Sequence, residues 1–360
     1  MNNIIHSYSS FLLVVTIGSI LCILLFSPIS SPNIIELPHP SPLPPNNRLH
    51  RLTKVGGELR QPEDVCVDKE GTIYAATRDG WIKKFNKEDD SWENWKKFET
   101  NGLLGITATR DGSIIACDVH KGLVKFDEDG VSVLTSQVNG TKIKFADDVI
   151  EASDGSLYFS VASTKYSLHN WHLDMLEAKP HGQLLKYDPS IDETSIVIDG
   201  LGFANGVALS ANEDFLVVCE TWKFRCLKYW LKGNEIGKIE VFVDNLPGGP
   251  DNINLAPDGS FWIAILELIS PRYEFVHTSK TAKHILAIFP SLFARVTGLH
   301  KKAMVIHVTE DGKIIDRFDD PDGTSISFLT SAVEFDNHLY LGSLNSNFVG
   351  KLSLNIIQEA

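Results

Sequence analysis

One pattern recurs six times along the chain and constrains its fold more than any other feature. Each copy is a short apolar strand, a tight turn rich in Asp, Asn or Gly, and a second apolar strand, as in RDGSIIACD from Arg110. A third apolar strand follows each copy. The turns supply residues that adopt positive φ in hairpins. The equivalent turn residues are Gly71, Gly112, Gly155, Glu213, Gly259 and Asn337.

This repeat predicts an all-β fold, a six-bladed β-propeller. The shorter spacings between the turns are close to the roughly 40–45 residues of a propeller blade. A β-sandwich is the alternative, but a sandwich does not require six copies in one register. We place the propeller at residues 59–360, after a Pro-rich stalk at 28–58 and an N-terminal hydrophobic segment at 1–27.

The N-terminal segment is apolar from Phe11 to Phe26. That length fits the hydrophobic region of a signal peptide and, together with its flanks, an uncleaved membrane anchor. Both alternatives send the chain into the secretory pathway, to the lumen of the endoplasmic reticulum or the vacuole, with possible membrane attachment through this segment. Asn139 begins the only N-glycosylation sequon, Asn-Gly-Thr, and is the predicted glycosylation site.

Charge limits the partners that the protein can bind. The chain has 33 Lys and Arg against 46 Asp and Glu, a formal net charge of −13. Basic residues occur singly or in pairs, as at Lys83-Lys84, so we expect no nucleic-acid partner. A negative protein is better suited to neutral or cationic substrates than to anionic ones.

The inner strands of the predicted blades carry a set of oxygen-bearing side chains. Counting back eight residues from each turn residue reaches one rim of the central channel. The residues at these positions are Glu63, Leu104, Asp147, Asn205, Asp251 and Leu329. Carboxylates that converge there repel each other unless a cation lies between them. Ca²⁺ takes six to eight oxygen ligands. We therefore predict a Ca²⁺ site, although local capping of turns and strands is the alternative for each residue alone. The predicted ligands are Glu63, Asp147, Asn205, Asp251 and Asn252.

The second strand of each hairpin returns to the same rim, so the loops after the second strands surround the pocket. The two longest segments between repeats, 162–182 and 266–301, also fall there and predict a lid over an apolar substrate. For the apolar residues 285–293, ordinary packing or a membrane-facing patch is the alternative. We predict that a small, largely apolar, neutral or cationic substrate contacts Trp171, Glu220, Trp222 and Glu267.

His120 is the candidate general base, because it lies on this rim and histidine titrates near neutrality. Asp147 is the second candidate catalytic residue. The chain has no GxSxG, HExxH, P-loop or GxGxxG motif and no CxxC pair, so serine-hydrolase, zinc-protease, nucleotide-hydrolysing and dinucleotide-binding functions have no motif support. Cys219 and Cys226 could either form a disulfide or remain packed thiols.

From about Leu59 to its C-terminus the chain resembles plant strictosidine synthase-like proteins. Stretches that carry the resemblance include FADDVIEASDGSLYFS from Phe145, GFANGVALS from Gly202 and NLPGGPDNI from Asn245. That family is similar to paraoxonases, gluconolactonases and the adipocyte plasma membrane-associated protein. The resemblance implies a six-bladed propeller, in several members with Ca²⁺ in the channel.

The resemblance also implies roles for individual residues. The metal pattern of the paraoxonases falls on the residues that the register selects, with Asp147 in place of an Asn, and their catalytic histidine falls near His120. True strictosidine synthases use a catalytic Glu in the sixth blade. The corresponding stretch here, SISFLTS at 325–331, contains no acidic residue.

Three functions follow from these observations. The favoured one is a Ca²⁺-dependent hydrolase of esters or lactones, in which the metal polarises the carbonyl group. A Pictet–Spengler condensing enzyme of the strictosidine synthase type is disfavoured, because the sixth blade lacks the acidic residue. The third is a non-catalytic propeller that binds a ligand or a partner.

Overall fold

The computed structural model describes residues 18, 23, 25–38, 43–297 and 302–355. These residues form six four-stranded sheets, and the first strands of neighbouring sheets lie side by side around a ring. The predicted six-bladed propeller is confirmed. The hydrophobic segment predicted at 1–27 falls almost entirely outside the described residues, so its role as a signal peptide or an anchor stays a prediction. Among the described residues, no helix combines the length and apolar character needed to cross a membrane.

The first part of the chain contains blades 1 to 3. Blade 1 is β2–β5, blade 2 is β6–β9 and blade 3 is β12–β15, while β10 and β11 form a separate hairpin. The strands are β1 (Thr53–Val55), β2 (Pro62–Val67), β3 (Ile73–Thr77), β4 (Trp81–Asn86), β5 (Ser91–Lys97), β6 (Leu103–Ala108), β7 (Ile114–Asp118), β8 (Gly122–Asp127), β9 (Gly130–Thr135), β10 (Gln137–Val138), β11 (Thr141–Lys142), β12 (Ala146–Glu151), β13 (Leu157–Val161), β14 (Gly182–Asp188) and β15 (Glu193–Leu201).

The second part contains blades 4 to 6. Blade 4 is β16–β19, blade 5 is β20–β23, and blade 6 combines β24–β26 with β1. The strands are β16 (Ala204–Leu209), β17 (Phe215–Glu220), β18 (Arg225–Trp230), β19 (Ile239–Val243), β20 (Gly248–Leu255), β21 (Phe261–Leu268), β22 (Ala303–Val308), β23 (Ile314–Asp320), β24 (Leu329–Phe335), β25 (His338–Ser343) and β26 (Val349–Ser353). Short 3₁₀ helices lie at Arg48–Arg51, Leu168–Asn170, Thr221–Lys223 and Gly233–Glu235.

The start of the propeller closes its last blade. Strand β1 pairs antiparallel with β26, with Thr53 opposite Lys351 and Val55 opposite Val349. Residues 53–55 lie within the predicted stalk, because a three-residue strand carries no repeat signature in the sequence. The pairing joins the two ends of the propeller in one sheet, so the ring cannot open without breaking β-sheet hydrogen bonds.

The residues before β1 are also attached to the propeller. The Arg48 guanidinium donates to both carboxylate oxygens of Asp316 in β23, at 2.7 and 2.6 Å. The backbone N–H of Asn46 donates to Asp319, and Arg317 donates to the carbonyl of Leu43. The part of the predicted stalk at 43–51 therefore packs along blade 5 and is not a free spacer.

Four helices form a roof over one rim of the propeller. Helix α1 (Trp171–Glu177) lies between β13 and β14, and helices α2 (Pro271–Thr278), α3 (Lys280–Ile288) and α4 (Pro290–Thr297) lie between β21 and β22. The rings of Trp171 and Phe293 are 6.0 Å apart, so the two insertions meet, as the sequence predicted. Ser270 and Ser279 cap α2 and α3, because their hydroxyl oxygens accept hydrogen bonds from backbone N–H groups of the first turn.

A strap of extended chain, residues 27–38, crosses the roof. The backbone N–H of Asn33 donates to the carbonyl of Glu177 at 2.9 Å, and that of Ile35 donates to the carbonyl of His277 at 3.2 Å. Ser30 donates to the carboxylate of Glu177 through its hydroxyl and its N–H. The strap thus ties the insertion of blade 3 to that of blade 5.

The strap is also held by Lys283, a fully buried lysine whose ammonium group donates to the carbonyl of Asn33 at 2.6 Å. Burial lowers the pKa of Lys283 to about 7. In the unfolded chain lysine stays charged to about pH 10. Between these values the unfolded state binds more protons, so this group adds stability as the pH rises.

We expect the parent to gain stability relative to Lys283→Met between pH 7 and 9. The gain is at most about 1.4 kcal/mol per pH unit, measured by urea unfolding. Methionine keeps the length of the side chain without the amine. Lys280→Met, at an exposed position of the same helix, is the matched control and should follow the parent. A difference between parent and Lys283→Met that does not change with pH would contradict this account.

The structure settles the pairing of two cysteines that the sequence left open. Cys219 and Cys226 lie directly opposite each other in β17 and β18 and form a buried disulfide. Cys66 and Cys117 are free and buried. Disulfides persist in oxidising compartments such as the secretory pathway.

Candidate metal centre and pocket

The first strand of every blade carries an irregularity at the same level of the channel. In β16 the regular pairing stops after Ala204, opposite Glu220, and resumes at Val207, opposite Val218, so Asn205 and Gly206 together face one residue of β17. Equivalent shifts occur in the first strands of the other five blades. A β-bulge re-aims the side chains of the strand that carries it. These bulges turn the predicted ligand positions toward the axis.

The predicted ligands meet in the channel. All five are buried, and contacts between blades connect them. The Asn252 amide donates to Glu63 Oε1 at 3.4 Å, across 189 residues of sequence. The Asn205 amide lies beside the carboxylate of Asp251, where it opposes the rise in the pKa of that group. The described structure therefore brings together Glu63, Asp147, Asn205, Asp251 and Asn252.

The site gathers several carboxyl groups that are buried away from the protein surface. Burial raises the pKa of Glu63 well above its usual range, and the carboxylates of Asp64 and Asp251 raise it further. Burial raises the pKa of Asp147 to about 8. Burial and the carboxylate of Asp147 also raise the pKa of Asp251 well above its usual range. Buried carboxylates of this kind become stable as anions when a cation binds among them.

Three oxygens in this set have no hydrogen-bond partner among the described residues, although all three are buried: Glu63 Oε2, Asn205 Oδ1 and Asn252 Oδ1. Buried polar atoms of native proteins are nearly always paired. These atoms come from three different blades and consist only of oxygen, which is the donor type that Ca²⁺ prefers. The residues present therefore fit a Ca²⁺ ion.

Two further carboxylates lie next to the predicted ligands but accept hydrogen bonds from backbone N–H groups. Asp64 accepts hydrogen bonds from the N–H groups of Val65 and of Ile106 in the neighbouring blade. Asp148 likewise accepts from Val149 and from Val207 of the next blade. These two residues tie adjacent blades together.

Gly206 shows how closely the blades approach at this level. A Cβ on Gly206 would lie 2.5 Å from the carbonyl oxygen of Asp251 and 2.7 Å from the Cα of Asn252. We expect Gly206→Ala to lower the free energy of unfolding by about 2–3 kcal/mol, measured by urea unfolding. Gly202→Ala is the matched control, because its Cβ would meet only the flexible side chain of Lys223. Equal stability of the two variants would contradict this packing.

The sixth blade does not contribute at the position that the sequence selected. The bulge there falls on Thr330 and not on Leu329, which is fully buried in an apolar cluster. The reason is the turn of blade 6, which consists of only Asp336 and Asn337 and is tighter than the turns of the other blades. The same count back from the turn therefore ends at Leu329, one residue before the bulge. The Thr330 hydroxyl donates to the carbonyl of Glu63 at 2.6 Å.

Arg78 is a site residue that the sequence analysis did not select. It follows β3, and its guanidinium lies near the carboxylates of Glu63, Asp118 and Asp147, which oppose the lowering of its pKa by burial. Its Nη1 has no hydrogen-bond partner among the described residues. The signal available in the sequence was its place in a rim loop, the same criterion that selected His120.

A cavity of about 470 Å³ opens on this rim. His120 is exposed and lines it, and the backbone N–H of His120 donates to Asp118. Trp171 reaches the cavity from the roof, and its contact with a substrate stays a prediction. The lining residues are Gln61, Arg78, Asn101, His120, Ser167, Leu168, His169, Trp171, Phe328, Leu344 and Asn345.

Two other predicted substrate contacts, Glu220 and Trp222, lie elsewhere. Glu220 is fully buried, and its carboxylate accepts hydrogen bonds from Lys223, Arg225 and the N–H of Gly202. Trp222 is buried and donates to Asp174 at 3.1 Å. Neither residue lines the 470 Å³ cavity. The side chain of Glu267 lies outside the described residues, so its role stays a prediction.

A larger cavity of about 680 Å³ lies between the strap and blade 4 and includes Trp222. No predicted metal ligand lines either cavity, but Arg78, whose guanidinium lies near Glu63 and Asp147, lines the smaller one. We therefore assign the candidate chemistry to the smaller cavity. Asn139, the predicted glycosylation site, is exposed in the two-residue turn between β10 and β11, where it and Gly140 both have positive φ.

Two family models match the chain. The model described as strictosidine synthase matches residues 147–234, and the model described as strictosidine synthase-like, N-terminal, matches residues 42–85. Protein STRICTOSIDINE SYNTHASE-LIKE 4 of Arabidopsis thaliana is 33% identical over 341 residues, 91% of this chain and 90% of that protein. The adipocyte plasma membrane-associated protein of Mus musculus is 30% identical over 338 residues, 88% of this chain and 81% of that protein.

Solved structures share the fold at low sequence identity. A gluconolactonase from Xanthomonas campestris superposes with a TM-score of 0.61 at 14% identity, covering 91% of this chain and 99% of that one. A calcium-binding protein, regucalcin, from Agrobacterium tumefaciens has a TM-score of 0.55 at 12% identity, covering 84% and 93%. At these identities the likeness establishes the fold alone.

Proposed function

Because the chain belongs to the strictosidine synthase-like family and its channel gathers buried oxygen ligands, we propose that it is a Ca²⁺-dependent hydrolase of esters or lactones. The observation that carries this proposal is the set of three unpartnered buried oxygens, on Glu63, Asn205 and Asn252, among carboxylates from other blades. Such a set is suited to a hard cation.

The residues that would hold the ion are Glu63, Asp147, Asn205, Asp251 and Asn252. Ca²⁺ bound there would polarise a substrate carbonyl and balance the negative charge that develops on its oxygen. Asp147 adds a carboxylate where the paraoxonase pattern has an amide. That extra charge favours tight binding of a divalent cation.

The protein's own groups supply the remaining requirements of hydrolysis. His120 lines the cavity and would accept a proton from the attacking water; Asp147 is the second candidate for this step. Arg78 lies between the ligands and the cavity, where it would orient a carbonyl or carboxyl oxygen. Trp171 and the roof would exclude bulk water and favour a small, largely apolar substrate.

The similar proteins lend support by what their names state. The solved structures include gluconolactonases and a calcium-binding regucalcin. A condensing function of the strictosidine synthase type is less well supported, because the sixth-blade stretch 325–331 has no acidic residue and Phe328 lines the cavity there. A non-catalytic propeller that binds a ligand on the roofed rim is the remaining alternative.

We place the protein in the secretory pathway. The buried disulfide between Cys219 and Cys226 suits an oxidising compartment, and the apolar segment from Phe11 to Phe26 suits a signal or an anchor. A relative in this family is named as plasma membrane-associated.

Hydrolysis of a panel of aryl esters and lactones by the full chain tests the proposal. We expect turnover with Ca²⁺, loss of turnover after chelation, and recovery when Ca²⁺ is restored. Incubation with tryptamine and secologanin tests the condensing alternative in parallel. Ca²⁺ binding without any hydrolysis would favour the ligand-binding propeller, and hydrolysis unaffected by chelation would contradict the metal mechanism.

His120→Gln tests the assignment of the general base. We expect kcat to fall about 10²–10⁴-fold, because glutamine cannot accept the proton, while Ca²⁺ affinity is kept. The matched control is His169→Gln, since His169 lines the same cavity from the roof and should tolerate the change. If His120→Gln retains the activity of the parent, Asp147 becomes the better candidate.

A further inference from the structure

The outer face of the roof exposes large apolar side chains. Phe275 on α2 is 64% exposed, Phe289 at the end of α3 is 55% exposed, and Leu292 on α4 is 40% exposed. In the same segment Leu286 and Phe293 are buried. The apolar residues of this segment, predicted to form a lid or a membrane-facing patch, are thus divided. Some pack on the inner side of the roof, and others are exposed on its outer side.

The N-terminal end of the strap lies beside this face. Ser27 contacts His284 of α3 at 2.7 Å. The two residues before it, Leu25 and Phe26, are 79% and 77% exposed. They are the last residues of the apolar run that begins at Phe11. The contact of Ser27 with α3 thus places the exposed end of this apolar run beside the roof.

The exposed charged residues of the roof helices are mostly basic, whereas the protein as a whole has a negative net charge. The exposed charged residues of α2, α3 and α4 are Arg272, Lys280 and Arg295, with Glu274 as the acidic exception. The chain as a whole has a net charge of −13. Apolar side chains set among basic ones are typical of helices that lie in the interface of an anionic membrane.

We propose that this roof face, formed by Leu25, Phe26, Phe275, Phe289 and Leu292 with Arg272, Lys280 and Arg295 around them, docks on an anionic phospholipid bilayer. The apolar side chains enter the boundary between headgroups and acyl chains, and the basic residues contact lipid phosphates and carboxylates. This contact is separate from any attachment through residues 1–24, and it does not depend on the proposed hydrolysis.

Docking in this orientation has a consequence for the cavity. Helix α4 packs on Trp171 through Phe293, and Trp171 lines the cavity above the channel. The cavity opens on the roofed rim, so the bilayer would lie on the side from which a substrate enters. A substrate that partitions into lipid would then reach the cavity without crossing bulk water.

Site-specific fluorescence in the full chain tests the proposal. Phe289→Cys, in a Cys22→Ser background, is labelled with an environment-sensitive nitrobenzoxadiazole dye; the other cysteines are buried or joined in the disulfide. The matched control is Ile236→Cys, because Ile236 is 66% exposed on blade 4, far from the roof in sequence and fold. The protein is added to phosphatidylcholine vesicles with and without phosphatidylserine, and quenching by doxyl-labelled lipids is recorded.

We expect a blue shift and doxyl quenching at position 289 but not at position 236, and both signals should be stronger with phosphatidylserine. Adding Arg272→Gln, Lys280→Gln and Arg295→Gln should remove the preference for phosphatidylserine. Leu292→Cys provides a second labelled position on the same face. Absence of doxyl quenching at both 289 and 292 would overturn the proposal. A blue shift without doxyl quenching would also overturn it and would indicate contact with another protein or a second copy of the chain.

Discussion

Asp251→Ala is expected to abolish Ca²⁺ binding and to lower kcat/KM for ester or lactone hydrolysis about 10³-fold. Asp251 is buried in the channel, and its carboxylate interacts with Asn205 and Asp147 from two other blades. Its removal takes one of the few negative ligands from the site. Titration calorimetry with Ca²⁺ measures the first effect, and initial rates on the ester and lactone panel measure the second.

A matched control separates this effect from a general loss of charge. Asp199→Ala removes an exposed carboxylate from β15, outside the channel, and should keep both the Ca²⁺ affinity and the rates of the parent. Far-ultraviolet circular dichroism shows whether each variant keeps its β-sheet content. An Asp251→Ala variant that is folded, binds no Ca²⁺ and still hydrolyses the substrates at the parent rate would refute the metal mechanism.

Ca²⁺ is also expected to stabilise the fold. Buried carboxylates of three blades repel each other, and burial raises the pKa of Glu63 and Asp251 well above the usual range. A ligand that binds only the folded state at a thousand times its Kd adds about 4 kcal/mol to the free energy of unfolding. We therefore expect the melting temperature of the parent to rise by several degrees in saturating Ca²⁺.

The same scan in Asp251→Ala provides the comparison, since this variant should show no such rise. Mg²⁺ should give a smaller rise in the parent, because it demands near-ideal octahedral geometry and loses its bound waters reluctantly. If Ca²⁺ shifts the melting temperatures of parent and variant equally, the ion binds outside the channel.

Much of the fold and of the candidate metal set could be predicted from the sequence because both follow from the repeat. A blade repeats its strands and turns, so a fixed offset from the turn residue selects the same level of the channel in each copy. Glu63, Asp147, Asn205 and Asp251 were found in this way and lie together in the structure. The prediction required the six blades to form a closed ring, and they do so in the structure.

The bulges that aim these side chains could not be predicted. A bulge adds a residue to one strand without a signature in composition, and in blade 6 a tight turn at Asp336-Asn337 moved the register from Leu329 to Thr330. The closing strand β1 was missed for a related reason, because three residues of ordinary composition form it only when β26 is already in place.

Side-chain contacts that form only in the folded chain account for the remaining differences. Glu220 was expected to face a substrate, but Lys223 and Arg225 occupy its carboxylate within blade 4. Arg78 approaches the ligands from blade 1, and only the assembled channel shows that its guanidinium faces Glu63 and Asp147. Residues 28–38 were assigned to a Pro-rich stalk, yet Glu177 and Lys283 of the roof bind them.

A crystal structure of the full chain grown with Ca²⁺, and again with a lanthanide as anomalous scatterer in its place, tests the central claim most directly. The account predicts a single strong anomalous peak in the channel, within coordination distance of Glu63 Oε2, Asn205 Oδ1 and Asn252 Oδ1. An empty channel in which hydrogen bonds from the protein satisfy those three oxygens, or a peak elsewhere on the molecule, would contradict it.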